Sequence, residues 1–151
     1  YFKDINKYHQ IIHETDLANN FSEYYKKNKK KLSNYMQKAI ANGNKYSAKD
    51  YAEAIDFTKR SYESYKEVFE DYHGVLSPSS PGVAPKGLKS TGTAEFNKFW
   101  SFMGTPCISL PLLQGENNLP LGVQLIGDKY DDLRFLGVAR WLEEKSKDFN
   151  E

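Results

Sequence analysis

Apolar residues in the first part of the chain recur three or four positions apart, which is the spacing of one face of an α-helix. We expect a first helix that ends near Asn19 and a second that runs from Phe21 to Asn42. The pair Asn42-Gly43 is a typical helix stop, because both residue types adopt the left-handed conformation readily. The apolar face of the first helix consists of Phe2, Ile5, His9 and Ile12.

A third helix has the clearest start and the longest stripe. Ser47 and Asp50 match a capping box, in which the hydroxyl accepts a backbone hydrogen bond and the acid reaches back to the Ser47 N–H. Apolar, mostly aromatic residues then recur at steps of four and three as far as Tyr72. Because the stripe is aromatic rather than Leu or Ile, we expect this helix to pack in a globular body and not in a coiled coil.

The pattern changes after Tyr72, where the apolar segments become short. Apart from Gly43, every glycine and proline of the chain lies in this part. We expect strands at 75–77, 107–112 and 121–126, a loop over 77–89, a short helix at 94–103, a turn at 115–118, and a last helix from Asp131 or Asp132 to about Lys145. The short connection between the last two strands predicts an antiparallel hairpin. Apolar residues cover most of the circumference of the last helix, so more than one of its sides must be buried.

These elements predict an α/β protein whose few strands form the edge of a larger sheet. Residues 1–72 are its mainly helical part, and residues 73–151 are its strand, loop and helix part. A two-stranded hairpin is marginal by itself and needs further strands or helices. We therefore expect either the rest of a parent chain or a partner to bury the apolar surface that these elements cannot cover for one another.

Composition and charge exclude several classes of function. The 21 basic and 20 acidic residues leave a net charge of +1, which gives no reason to expect nucleic acid or an anionic membrane as a partner. Five lysines between Lys26 and Lys31 could form a nucleic-acid patch, but one short run is more typical of a solvated helix face. No apolar run approaches the roughly 20 residues of a membrane span, and no signal peptide is recognisable.

The single cysteine, Cys107, excludes a disulfide within the chain. With no export signal, a free thiol predicts a cytoplasmic protein. The chain begins at Tyr1 rather than Met, so we expect the N-terminus of a parent protein to be missing. The glycines of the second half form no phosphate-binding pattern, and we expect no cofactor.

Two groups of residues resemble nucleophilic sites, and each has a simpler interpretation. Ser79 and Ser80 lie in a Ser-rich loop, but the neighbouring prolines remove backbone donors that would stabilise an oxyanion. Cys107 and His73 could act as a thiol and its base. Because Cys107 follows a proline in an apolar strand, we expect a buried and inert thiol instead.

A histidine pair in the first helix is the candidate for metal binding. His9 and His13 stand at positions i and i+4, which can place two imidazoles on one helix face. Glu14 adds an acid beside the second histidine, whereas the zinc motif has its acid beside the first. We therefore expect a solvated helix face and no metal.

Three segments of the second half resemble the C-terminal region of amidase-signature enzymes in order and spacing. They are YHGVLSPSSPGVAP (72–85), FNKFWSFMGTPCISLP (96–111) and LPLGVQLIG (119–127). The last helix resembles the one that closes that family's fold. The resemblance covers about Tyr72 to Glu144, the helical part before it also fits, and residues 1–151 would then be the C-terminal portion of an amidase-signature domain.

The resemblance implies a mixed, mostly parallel sheet with helices on both sides, and hydrolysis of carboxylic amides or their use as ammonia sources. In that family a Ser nucleophile, a second Ser in a cis peptide and a Lys base carry out the reaction, all upstream of the region matched here. No residue of this chain matches them, so we assign no catalytic residue and expect the chain to be inactive alone. A small amide is expected as a substrate only in the complete enzyme.

The resemblance also implies that the loop and short helix of the second half help to wall the acyl pocket, because rigid aromatic side chains offer a large apolar area. The candidate wall residues are Phe96, Asn97, Phe99, Trp100 and Met103. Core packing is the alternative for the aromatic rings. Structural roles are expected for Gly104, Pro106, Pro111, Gly122 and Gln124.

Two functions of different classes remain. The first is a C-terminal fragment of an amidase-type hydrolase, whose partner is the remainder of an amidase chain or a second copy. The second is a stand-alone helical interaction or oligomerisation module with an amidase-like scaffold. A Gly/Ser-rich loop and an earlier Lys encoded upstream of Tyr1 would decide for the first.

Overall fold

Four α-helices are followed by three short strands and two further α-helices within residues 4–147, the part of the chain that the computed structural model describes. Their bounds are α1 Ile5–Asn20, α2 Ser22–Asn28, α3 Asn34–Gly43, α4 Ala48–Asp71, β1 Val75–Pro78, α5 Glu95–Met103, β2 Cys107–Gln114, β3 Pro120–Ile126 and α6 Asp132–Lys147. This mixture confirms the predicted α/β class, while Phe2 lies outside the described residues. The chain divides within α4 into a helical unit that ends at Ser61 and a second unit that begins at Tyr62 and contains the strands.

Helices α1 and α3 form the centre of the first unit and approach each other closely at Gly43. A Cβ atom at Gly43 would collide with the backbone carbonyl of Glu14 and the side chain of Ala18, so the crossing requires a glycine. Glu14 is buried, and its carboxylate accepts hydrogen bonds from Asn42 at 3.2 Å and from Tyr46 at 2.9 Å. These donors satisfy the buried acid and link it to the end of α3 and the residues that follow.

The prediction of one continuous second helix is wrong. The structure has α2, a 3₁₀ turn at Lys29–Lys31, and then α3. Leu32 and Ser33 are extended between them, and Ser33 caps α3 by accepting a hydrogen bond from the Met36 N–H at 3.3 Å. The exposed lysine run favours this break, because like charges on neighbouring turns destabilise a helix.

The capping box predicted at the start of α4 is present. The Asp50 N–H donates to Ser47 Oγ at 3.1 Å, and the Ser47 N–H donates to Asp50 Oδ2 at 2.8 Å. Hydrogen bonds from the Ser47 hydroxyl and N–H lower the pKa of the Asp50 carboxyl. The helix then continues to Asp71, close to the predicted end at Tyr72.

The second unit is built on an antiparallel sheet with strand order β1-β3-β2. β2 and β3 form the predicted hairpin, and β1 pairs with the other edge of β3. The register places Ser77 and Ser109 on either side of Gln124. Since side chains alternate along a strand, Leu125 faces one side of the sheet, and Gln124 and Ile126 face the other. Within residues 4–147, β1 and β2 each have one unpaired edge.

Strand β2 is irregular around Pro111. Its pairing with β3 shifts register between Leu110 and Leu113. A proline is tolerated at such a bulge on an outer strand, because the missing N–H removes no regular ladder hydrogen bond. The chain then turns through a 3₁₀ segment at Glu116–Asn118, in agreement with the predicted turn.

Helix α6 packs against the sheet with one of its sides. Phe135 and Ala139 form a buried cluster with Leu125. A second side is exposed, with exposed fractions of 89% for Leu133, 55% for Leu136 and 58% for Trp141. The described residues cover one side only, so burial of a further side by the rest of a parent chain or by a partner stays a prediction.

Gly43→Ala tests the close crossing of α1 and α3. We expect a loss of about 1–3 kcal/mol in the free energy of unfolding, because the new methyl group must displace the backbone of Glu14. Gly137→Ala is the matched control: its Cβ would meet no atom within 4 Å in the middle of α6, so we expect a gain of roughly 0.5–1 kcal/mol. Urea denaturation followed by circular dichroism measures both, and equal stabilities would contradict the crossing.

Candidate functional site

Helix α5 carries the five residues predicted to wall a substrate pocket. Trp100 and Met103 are buried, Phe96 and Phe99 are half-buried, and Asn97 is exposed. The apolar members share one side of the helix, since they recur at i, i+3, i+4 and i+7. This side is buried at Trp100 and Met103 and only half-buried at Phe96 and Phe99, whereas Asn97 is exposed.

Aromatic rings hold the buried side of α5. The Trp100 ring lies edge-on to Phe99, with ring centroids 4.6 Å apart, and edge-on to Tyr65 of α4, at 5.3 Å. These separations are those of favourable aromatic pairs. Burial among them raises the pKa of the Tyr65 hydroxyl. Trp100 is therefore part of the core of the second unit on this side.

The C-terminal end of α5 is closed by Gly104, whose φ of 71° lies in the left-handed region that favours glycine. The N–H groups of Gly104 and Thr105 both donate to the Trp100 carbonyl, at 2.9 and 3.2 Å. The buried Thr105 hydroxyl donates to the same carbonyl at 3.3 Å. The structural role predicted for Gly104 is thereby confirmed.

Gln124 of β3 ties the first turn of α5 to the sheet. Gln124 is 4% exposed, and its Nε2 donates to the Pro78 carbonyl at 2.9 Å and to the Phe96 carbonyl at 3.1 Å. Ser77 Oγ lies 3.4 Å from the same nitrogen. The structural role predicted for Gln124 is confirmed, because one carboxamide joins β1, β3 and α5.

A row of hydroxyl groups crosses the sheet beside Gln124. Ser77 and Ser109 flank it in register, and Ser109 Oγ lies 2.7 Å from Ser79 Oγ. A Cβ added at Gly122 would come within 2.8 Å of both of these oxygens. The two serines can meet because Gly122 has no side chain.

The loop that contains Ser79 and Ser80 is held by local hydrogen bonds. The Ser79 N–H donates to the Gly122 carbonyl at 3.0 Å, and the Ser80 hydroxyl donates to the Gly82 carbonyl at 2.6 Å. Both serine hydroxyls thus have a neighbouring hydroxyl or carbonyl as partner. This geometry agrees with the interpretation of the loop as structural.

Cys107 is exposed, which contradicts the prediction of a buried thiol. The physical reason is its place at the start of an outer strand. Partial burial of the sulfur still raises the pKa of the thiol, against the opposing effect of the hydrogen bond to Thr105. A raised pKa keeps the thiol protonated and less reactive. The fold also places β3 between the strand of Cys107 and the strand that His73 precedes.

The histidine pair of α1 lies on one helix face. The rings of His9 and His13 are stacked, with centroids 5.9 Å apart. Glu14 is buried and accepts hydrogen bonds from neighbouring side chains. Across residues 4–147, no three side chains of His, Cys, Asp or Glu are grouped to hold a metal ion. None of the helices in that range has the length and apolar character needed to cross a bilayer.

A second polar cluster, which the sequence pattern did not predict, joins α4 to the segment after β3. The Tyr62 hydroxyl donates to Asp128 Oδ1 at 2.5 Å, and the Lys129 N–H donates to the same oxygen at 2.8 Å. Lys129 Nζ lies 4.1 Å from the centre of the Tyr62 ring. Burial, with the hydrogen bond to Asp128, raises the pKa of Tyr62 to about 12, and burial lowers the pKa of Lys129. The partners are 66 residues apart, so no local pattern reveals the pair.

An apolar groove of about 640 Å³ lies between the start of β1 and helix α6. Its apolar lining includes Leu76, Leu125, Val138, Trp141 and Leu142. Leu76 and Trp141 are more than half exposed. The groove is therefore continuous with the uncovered side of α6.

Residues 2–136 match the model of a protein family described as Amidase. The chain belongs to the amidase family. The matched range includes α5, the serine row and Gln124, whereas Val138, Trp141 and Leu142 of the apolar groove lie beyond it.

Named relatives of this amidase-family chain are considerably longer. One of the subunits of glutamyl-tRNA(Gln) amidotransferase from Alkaliphilus metalliredigens is 35% identical over 109 residues, which are 67% of this chain and 22% of that protein. Fatty acid amide hydrolase of Arabidopsis thaliana is 28% identical over 126 residues, which are 76% of this chain and 21% of that protein. The chain therefore spans about a fifth of the length of these relatives.

Solved structures of longer proteins share the fold of this chain. A crystal structure of an amidase matches with a TM-score of 0.81 and 21% identity, over 95% of this chain and 36% of that chain. The structure of 6-aminohexanoate cyclic dimer hydrolase with its substrate matches with a TM-score of 0.68 and 16% identity, over 88% of this chain and 33% of that chain. At these identities the likeness shows the fold alone.

Tyr62→Phe tests the polar cluster of this amidase-family chain, because it removes the hydroxyl and keeps the ring against Lys129. The pKa of Tyr62 is raised from 10.0 to about 12, so folded chains retain a proton that unfolded chains lose between these values. The stability that depends on this proton is fully present below pH 10 and is lost as the pH rises towards 12.

We therefore expect the wild type to lose more stability than Tyr62→Phe as the pH rises through that window. Urea denaturation at successive pH values measures the difference. Tyr35→Phe, which changes an exposed ring, is the matched control and should follow the wild type. Parallel curves for the wild type and Tyr62→Phe would show that the hydroxyl has no such role.

Proposed function

We propose that the chain is the C-terminal part of an amidase-type hydrolase that acts on the C–N bond of carboxylic amides. Family membership over residues 2–136, in a chain about a fifth as long as its named relatives, is the observation that carries the proposal. The nucleophile, the second serine and the lysine base then belong to other residues of the complete enzyme. This chain supplies scaffold and part of the substrate-pocket wall.

The loop after β1 supports the assignment of no catalytic residue to this chain. A serine nucleophile needs a base within hydrogen-bond reach. Here the Ser79 hydroxyl has the Ser109 hydroxyl as partner, and the Ser80 hydroxyl has the Gly82 carbonyl. Neither partner is a base at neutral pH. The raised pKa of Cys107 keeps its thiol protonated, which also supports the assignment of no catalytic residue to this chain.

Helix α5 is the part of the chain that best fits a pocket wall. Trp100 and Met103 anchor its buried side, and Gln124 holds its first turn. In that turn Phe96 is half-buried and Asn97 is exposed, and they provide one apolar and one polar side chain. Ligand pockets are built in this way, from rigid apolar surface with few polar groups. We assign substrate contact to Phe96 and Asn97, with Phe99, Trp100 and Met103 as support behind them.

The uncovered side of α6 supports a proposal about partners. Leu133, Leu136 and Trp141 are exposed beside an apolar groove, and soluble monomers rarely expose large contiguous apolar patches. In the complete enzyme we assign this cover to the remainder of the amidase chain, and the isolated chain is expected to self-associate. A stand-alone oligomerisation module would show the same surface. A Gly/Ser-rich loop and a Lys in the upstream reading frame would separate the two.

The purified chain should not hydrolyse aliphatic or aryl amides above background, because the motifs matched here contain neither a serine with its base nor an oxyanion-stabilising loop. Product release under initial-rate conditions measures this, with the complete enzyme as positive control. Hydrolysis that survives Ser79→Ala and Ser80→Ala but is lost in Cys107→Ala would place the chemistry at the thiol and overturn the assignment.

Two substitutions on α5 in the complete enzyme test whether the helix forms part of the substrate-pocket wall or only packs in the core. Phe96→Ala should change the kcat/KM ratio of large to small acyl amides by about 10-fold, within the roughly 10–200-fold range of apolar discrimination. Trp100→Ala should lower the free energy of unfolding by about 3–5 kcal/mol, because the buried indole packs against Tyr65 and Phe99.

The ratio is measured from initial rates and the stability from thermal melts of the same samples. If both variants keep the wild-type ratio while Trp100→Ala melts at a lower temperature, α5 is core alone and the wall assignment is wrong.

A further inference from the structure

The Gln124 carboxamide bridges two segments that are distant along the chain. Its Nε2 lies 2.9 Å from the carbonyl oxygen of Pro78, at the end of β1, and 3.1 Å from that of Phe96, in the first turn of α5. A carboxamide carries two N–H donors, so both carbonyls can be bound at once. With Gln124 only 4% exposed, water has little access to replace these bonds.

The start of α5 has few other anchors. The segment between Pro78 and Ala94 contains bends and no helix or strand. Ala94, at the N-cap of α5, has no side-chain hydrogen bond to the helix. The other end is well held, by the glycine cap and by the rings around Trp100. The direction of the first turn therefore depends on the bridge from β3.

We propose that Gln124 is a positioning residue: by holding the Phe96 carbonyl it sets where the Phe96 ring and the Asn97 side chain stand, and thereby which acyl group the site accepts. The inference rests on the proposed function of α5 as a pocket wall. Gln124 itself contacts no substrate, and acts through the first turn of the helix.

The hold on α5 is tested first on the chain itself, by amide hydrogen exchange of Asn97 and Lys98, whose N–H groups both donate to the Ala94 carbonyl in the first turn of α5. Gln124→Met keeps the length of the side chain and removes both donors. We expect it to raise the exchange rate of these two amides by at least about twofold, because the first turn of α5 opens more often. Gln114→Met is the matched control, since Gln114 is an exposed glutamine at the end of β2.

Exchange rates of the Asn97 and Lys98 amides that are unchanged in Gln124→Met would overturn the inference whatever the chain's function. If this variant does not fold, Gln124→Asn is measured in its place, because it keeps the carboxamide and withdraws it by one methylene. The same increase is expected, and its absence has the same consequence.

The effect on specificity is tested in the complete enzyme with Gln124→Met, Phe96→Ala and the double variant. We expect Gln124→Met to change the large-to-small acyl ratio of kcat/KM by about 10-fold. In the Phe96→Ala background the same change should have little further effect, because the ring through which it acts is gone. A general loss of stability would not produce this dependence on Phe96.

The outcomes separate the inference from the proposed function. If the large-to-small acyl ratio of kcat/KM is unchanged in Phe96→Ala, the assignment of α5 as a pocket wall is wrong. The specificity role of Gln124 is then wrong as well. If this ratio changes in Phe96→Ala but not in Gln124→Met, only the positioning role of Gln124 is wrong. Additive effects of the two substitutions would show that Gln124 acts independently of Phe96, and would also overturn the proposal.

Discussion

The second unit depends on β3, the central strand of its sheet. Both neighbouring strands pair with β3 along their inner edges. Because its side chains alternate, the two faces of the sheet contact different helices. Leu125 packs on one face against Phe135 of α6, while the Gln124 carboxamide binds the first turn of α5 on the other. A change in the register of this strand would exchange the two faces, and both helices would lose their contacts.

Parts of the second unit are left uncovered within the described residues. The side of α6 away from the sheet is apolar and exposed, and a groove beside β1 continues that surface. Both outer strands have an unpaired edge within the described residues. Because the chain spans about a fifth of the length of its named relatives, we propose that the remainder of a longer amidase packs against these surfaces.

The sequence by itself determined features that depend on near neighbours along the chain. The capping box of Ser47 and Asp50, the β2–β3 hairpin and the glycine end of α5 all follow from short-range geometry. The motifs that resemble amidase-signature enzymes also lie in continuous segments, so the family could be predicted before the fold was known. The five residues of the candidate wall could be placed on one helix for the same reason.

Tertiary structure alone decided how far each of those residues is buried and what holds them. Trp100 is core because Tyr65 of α4 packs on it, and the Phe96 carbonyl is held by a side chain 28 positions away. The hydrogen bond from Tyr62 to Asp128 was likewise invisible in the pattern. Periodicity specifies which face of an element is apolar, but not which surface meets it. That choice depends on contacts between residues far apart in the chain, and these form only when the strands and helices are assembled.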